Sequence, residues 1–174
     1  MSPAPRRLRR DALKEMTVRV SLLCAVLLAA AELFALEPKL EVGEMAREAD
    51  VIVKGRVAGI KTPAARAGAN LMTLVTLAVE EAWKGEPAGQ ITVAVQGGAA
   101  GGVAQSVSGE ARFTPGERAI LFLKAKGDRY TVVGRRQGKL IVKTGADGRE
   151  AAQDLTGALK EISQLRAEVK AATH

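Results

Sequence analysis

Apolar and polar residues alternate along most of the chain from Asp50 to Val142. Alternation with a period of two places successive side chains on opposite faces of an extended strand, so these runs predict β-structure. Residues 51–60 read as a first strand. Residues 71–82 read as a second, with Leu71, Thr73, Val75, Leu77 and Val79 on one face and Met72, Leu74, Thr76, Ala78 and Glu80 on the other. Apolar side chains on both faces predict that this strand is central or strongly curved. Gln90–Gln96 alternates through Ile91, Val93 and Val95 and reads as a third strand. Residues 118–124 predict the most buried strand of all. Turns at Lys126-Gly127-Asp128 and Gln137-Gly138 lead into two further strands, 129–134 and 139–143.

The pattern changes between and beyond these strands. Residues 40–49 read as a short helix, weakened at Gly43 by up to about 1 kcal/mol relative to Ala. Residues 61–69 are a loop by composition. Gly97–Gly102 reads as a mobile connection or a bulged strand, followed by a short edge strand through Val103, Gln105 and Val107. Gly145–Gly148 is rich in turn residues. In the tail, Leu155, Leu159, Ile162, Leu165 and Val169 recur at helical spacing. They predict an amphipathic helix over about 154–170, capped by Asp154 or Thr156 and docked on the β-structure. A partner-binding helix is the alternative.

The N-terminal segment has a different character. Residues 1–19 are basic and residues 20–31 are uninterruptedly apolar, ending in small residues. A membrane span needs about 20 apolar residues, so this order matches a secretory signal peptide over residues 1–35, starting at Met1 or Met16. Arg9-Arg10 also fits a twin-arginine signal, although Ala12 stands where Phe is usual. A retained N-terminal anchor is the third reading. Either signal predicts an exported protein, periplasmic or extracellular, with residues 36–174 as a single domain and no membrane span in the mature form; the retained anchor would instead tether that domain to the membrane. Cys24 lies inside the apolar run, so a cleaved chain has no cysteine and no disulfide to stabilise it.

Composition narrows the chemistry. Aromatic residues make up 3% of the chain, so the core must be built on Val, Leu, Ile and Ala. The formal charge is +7, and the leader holds a disproportionate share of it. The lone histidine is the terminal His174, which leaves no material for a Ser-His-Asp arrangement or a histidine metal site. Ser106, Ser108 and Ser163 lie outside any Gly-x-Ser-x-Gly elbow. Glu80 and Glu81 are adjacent, so along a strand they are expected to point to opposite faces and not to converge as an acid/base pair. The Gly-rich run lacks the Lys-Ser/Thr of a phosphate loop. No enzyme, cofactor or metal is therefore expected.

The order of blocks resembles a known family. A helix, then Ala49-Asp50-Val51-Ile52-Val53-Lys54-Gly55-Arg56-Val57, then a long strand ending Val79-Glu80-Glu81-Ala82-Trp83-Lys84-Gly85, then a third strand and Gly116-Glu117-Arg118-Ala119-Ile120-Leu121-Phe122-Leu123, is similar to the netrin-like domain. That domain includes the inhibitory part of the tissue inhibitors of metalloproteinases. The resemblance covers about residues 45–143 and implies a mainly β fold. The implied architecture is a five- to six-stranded OB-like Greek-key barrel over 50–143, with a short N-terminal helix and a C-terminal amphipathic helix. It implies that Val51, Val53 and Val57 pack the barrel and that Gly85 and Gly116 make turns. The zinc-chelating N-terminal Cys and the disulfides of the metalloproteinase inhibitors have no counterpart here, so that mechanism does not carry over.

A binding protein is the leading expectation, with a partner protein in the exported compartment, a secreted protease among the candidates. Arg112, Arg135, Arg136 and Lys139 are expected to gather at one rim, which gives a second reading as a polyanion or envelope-surface binder. A structural envelope role is the third. Nucleic acid is disfavoured, because OB barrels stack bases on aromatic platforms that this chain lacks.

Overall fold

The computed structural model describes residues 39–64 and 69–173. The leader reading of residues 1–35, Cys24 included, lies outside the described residues. In chain order the elements are α1 (Val42–Glu48), β1 (Val51–Lys61), β2 (Met72–Lys84), β3 (Gln90–Gln96), β4 (Gly98–Ala100) and β5 (Val103–Gln105). They continue as β6 (Arg118–Lys126), β7 (Arg129–Val132), a 3-10 turn (Arg135–Gly138), β8 (Lys139–Thr144), β9 (Glu150–Gln153), β10 (Leu159–Glu161) and α2 (Ile162–Thr173).

Five strands close into an OB-like barrel in the order β1-β2-β3-β7-β6, and β6 returns to β1 from Val51↔Leu123 to Arg56↔Arg118. Neighbours are antiparallel except β3 and β7, which meet in parallel at Val93↔Tyr130. Alternation sorts the side chains. Val51, Val53, Val57, Val75, Leu77, Val93, Leu121 and Leu123 fill the interior. Ile52, Ile120 and Phe122 point the other way and pack beneath α1 and α2, against Met45, Leu165 and Val169. β6 is therefore buried on both faces, from Ala119 to Leu123 without a break. Its other edge is shared. β8 pairs with Ala119–Leu121 and β7 with Leu123–Lys126. From β8 the sheet continues outward through β9 to β10.

β2 pairs on both sides and carries register shifts against β1, as a central, curved strand should. Its outer face is not packed, however: Met72 is exposed and Leu74, Thr76 and Ala78 are half-buried. One shift has a consequence for the acidic pair. Lys54 faces Glu81 while Gly55 faces Val79, which leaves Glu80 as the extra residue of a bulge. A bulge cancels the strict alternation, so Glu80 and Glu81 both reach the outer surface rather than opposite faces. Gly55 permits the close approach, since a β-carbon there would lie 2.6 Å from the Ala78 carbonyl oxygen.

The Gly-rich run is a β4–β5 hairpin turning at Gly101-Gly102, both with positive φ. Helix α1 is closed at both ends. Glu41 and Glu44 form a reciprocal capping box at its start. At its end the Lys84 ammonium donates to the carbonyls of Ala46 at 2.8 Å and Ala49 at 2.5 Å, where helix carbonyls lack partners.

The tail departs most from expectation. Its helix begins at Ile162, not near 154, and the preceding residues form the β9–β10 hairpin. Asp154 caps that turn instead, its Oδ1 accepting from the amides of Thr156 and Ala158 at 2.8 and 3.0 Å. Gly157 follows with a left-handed φ of 86° that a helix cannot contain. Leu155 and Leu159 mimic helical spacing but stay 53% and 62% exposed. Leu155→Asp should therefore change stability by no more than about 0.5 kcal/mol, while Leu165→Ala should cost about 2–5 kcal/mol. Chemical denaturation of the two variants distinguishes the hairpin from a longer buried helix.

Candidate functional site at the open end of the barrel

Strand directions define two ends. β1 finishes at Lys61 and β3 at Gln96, while β2 begins at Met72 and β6 at Arg118, so these residues share one end. The β6–β7 turn at Gly127-Asp128 lies at the other. No helix among the described residues covers the first end. The β4–β5 hairpin and the segment 106–117 border it, leaving a cavity of about 340 Å³. Its floor is continuous with the barrel core at Val75, Val95 and Phe113, and Glu110 and Arg112 also line it.

Hydrogen bonds hold the walls. The Thr73 hydroxyl donates to the Gly97 carbonyl at 2.8 Å and lies 2.8 Å from the Thr62 hydroxyl. Gly97 N–H donates to the Leu71 carbonyl, and Leu71 N–H to Gln105 Oε1 at 2.7 Å. Gly98 lies directly over the two threonines with φ of 131°, and a β-carbon there would be 2.6 Å from Thr62 Oγ1. On the far side, Arg136 N–H donates to the Gly109 carbonyl at 3.0 Å, and Arg135 Nη1 to the Ser108 carbonyl at 3.3 Å.

Of the four basic residues expected at one rim, Arg112 is exposed on the cavity, and Arg135 and Arg136 are exposed on the 3-10 turn that hydrogen-bonds to Ser108 and Gly109. Lys139 is a correction. It is 8% exposed and cannot meet a partner. Paired with Leu121, it faces the barrel. Its ammonium pairs with Glu117 Oε1 at 2.5 Å, donates to the Arg112 carbonyl, and lies 4.7 Å from the centre of the Phe113 ring. Lys139 is a post beneath the cavity, tying segment 112–117 to β8.

No motif in the sequence singles out Glu110. It is half-buried in the cavity lining and has no ion-pair partner among the described residues. The signal available was its position: Glu110 and Arg112 flank the buried Ala111 just before Phe113.

The barrel wall behaves differently, because its charges are paired. Arg118 donates to Glu80 at 2.7 Å and also to Glu150. Lys54 pairs with Glu150 at 3.1 Å, and Arg166 of α2 pairs with Glu81 at 2.5 Å. Hydrogen bonds from Arg118 hold the Glu80 and Glu150 carboxyls below the usual range, and their bonds in turn raise the guanidinium. Glu80 and Glu81 thus share a face, but as ion-pair partners that staple β2, β6, β9 and α2 together.

Among the described residues, no three or more His, Cys, Asp or Glu side chains are grouped to hold a metal ion. No helix there is long and apolar enough to cross a membrane. No family model and no curated protein matches the chain.

The carboxyl shifts set a pH dependence. Glu80 and Glu150 titrate lower folded than unfolded, so their contribution is complete above the unfolded value of about 4.3. It is lost as pH falls through their folded values. Arg118→Gln should cost about 1–3 kcal/mol at pH 7 and flatten the loss of stability below pH 5. Denaturation midpoints of both proteins across pH 2–7 check it.

Proposed function

We propose that this chain is an exported, non-enzymatic binding protein that engages another protein at the open end of its barrel. The open-end cavity carries this reading. It presents accessible apolar side chains at Ile60, Val107 and Phe113, which water wets unfavourably, within a frame of hydrogen-bonded walls and polar rim residues. Small apolar recesses with a few placed polar groups are the usual form of a binding site, and barrel mouths are a usual location. The walls are held in place before any partner arrives, which lowers the ordering cost of binding. The netrin-like block order suggests a secreted protease as the partner.

One observation favours a second reading. Arg112 is exposed on the cavity, and Arg135 and Arg136 on the turn bonded to the neighbouring Ser108 and Gly109, which suits a polyanion or the envelope surface. Retention on heparin or lipopolysaccharide would then fall steeply with salt and vanish in an Arg135→Glu/Arg136→Glu variant.

The protein reading is tested by a photo-crosslinking side chain placed at Ile60, which lines the cavity, or at Asp128 at the opposite end. The expected result, in the native exported fraction, is one discrete adduct with a second protein from position 60 and none from position 128. Equal labelling from both positions, or none from 60, contradicts it.

A further inference from the structure

We infer that the cavity takes a polypeptide segment with one apolar side chain flanked by a basic and an acidic group, the basic group meeting Glu110 and the acidic group Arg112. This rests on the protein-binding reading above and names the chemistry of the partner.

The inference begins from a contrast in charge. Around the barrel wall, half-buried carboxylates have cations: Glu150 has Arg118 and Lys54, Glu81 has Arg166, and Glu117 has Lys139. Glu110 is similarly half-buried, yet no cation pairs with it among the described residues. Arg112, two residues on, lines the same cavity and makes no side-chain ion pair among them either. A half-buried acidic residue with no cation beside it leaves a place that a ligand cation can take in a charge-assisted hydrogen bond. The exposed Arg112 guanidinium offers a carboxylate a two-pronged donor.

The backbone of the segment that carries Glu110 and Arg112 is held in place. Gly109, just before Glu110, accepts from Arg136 N–H, and the Arg112 carbonyl accepts from buried Lys139. The segment is thus anchored on both sides of the charged residues. Ile60, Val107 and Phe113 line the same cavity and keep part of their apolar surface accessible over the buried Val75 and Val95, which offers a surface for one aliphatic or aromatic side chain. A cavity of about 340 Å³ is at the small end of ligand sites, which suits an inserted side chain with its neighbours.

The sign of one substitution separates this occupant from a polyanion. Removing Glu110's charge weakens a ligand that brings a cation and strengthens one that brings only anions. The purified protein is titrated with the end-blocked peptide Gly-Lys-Leu-Asp-Gly, and amide shifts of residues 105–113 are followed by NMR. Saturating shifts there are expected at millimolar peptide. Glu110→Gln and Arg112→Gln should each weaken binding about threefold to tenfold with unchanged melting temperature, and replacing the peptide's Leu with Ser should abolish it. Tighter binding by Glu110→Gln, or preference for Gly-Asp-Leu-Asp-Gly, overturns the inference in favour of a polyanion. If the peptide leaves residues 105–113 unshifted while the position-60 adduct persists, the charge assignment is wrong and the protein-binding reading stands. Loss of the adduct overturns both.

Discussion

Burial of β6 on both faces is the constraint on which the rest of the structure depends. Ala119, Leu121 and Leu123 complete the barrel interior, and Ile120 and Phe122 anchor the layer beneath the two helices. Neither apolar set can be withdrawn from water without the other, because they alternate along one strand. β6 must therefore have a barrel on one side and helices on the other. Its edges are committed too: β1 closes the barrel along one, and β8 and β7 divide the other. The β8–β10 extension and the position of α2 follow from that division. Arg118, at the start of the same strand, joins the barrel to the extension through Glu80 and Glu150.

The closed layer covers one outer face, and the barrel is left open at the end where β1 and β3 finish. No helix among the described residues covers that end, and segment 106–117, which lacks regular structure, borders it instead. Such a segment needs anchors, since its backbone groups have no ladder. Lys139 is the strongest. A buried ammonium costs several kcal/mol to desolvate, and here Glu117, the Arg112 carbonyl and the Phe113 ring face offset that cost at one point. The requirement for all of them fixes where residues 112–117 lie. It also fixes Glu110 and Arg112, which nothing else in the described structure holds by its side chain.

Much of the frame was legible in the sequence because it rests on period-two burial. The third strand has the limits its alternation predicts, and residues 118–124, predicted to be the most buried strand, are buried without a break from Ala119 to Leu123. Val51, Val53 and Val57 do pack the barrel, and Gly85 and Gly116 have positive φ at turns. Legibility failed where periodicity misled or a local device overrode it. Leu155 and Leu159 continued a helical spacing by coincidence, and the Asp154 turn with Gly157 outweighed it. The bulge at Glu80 turned two adjacent acids to one side, which no alternation rule anticipates. Lys139 reads as surface charge in any pattern, since only its register against Leu121 and the distant Glu117 make burial tolerable. Glu110 was passed over because its significance lies in the partner it lacks.

Frame and open end are thus held by different interactions, with Lys139 the main link between them. Native-state hydrogen exchange of a Lys139→Met variant tests this most directly. Amides of residues 109–117 should lose protection while those of Ala119–Leu123 remain the slowest in the protein. A uniform loss of protection across β6 and the open-end segment would contradict separate anchoring and make the cavity part of the core.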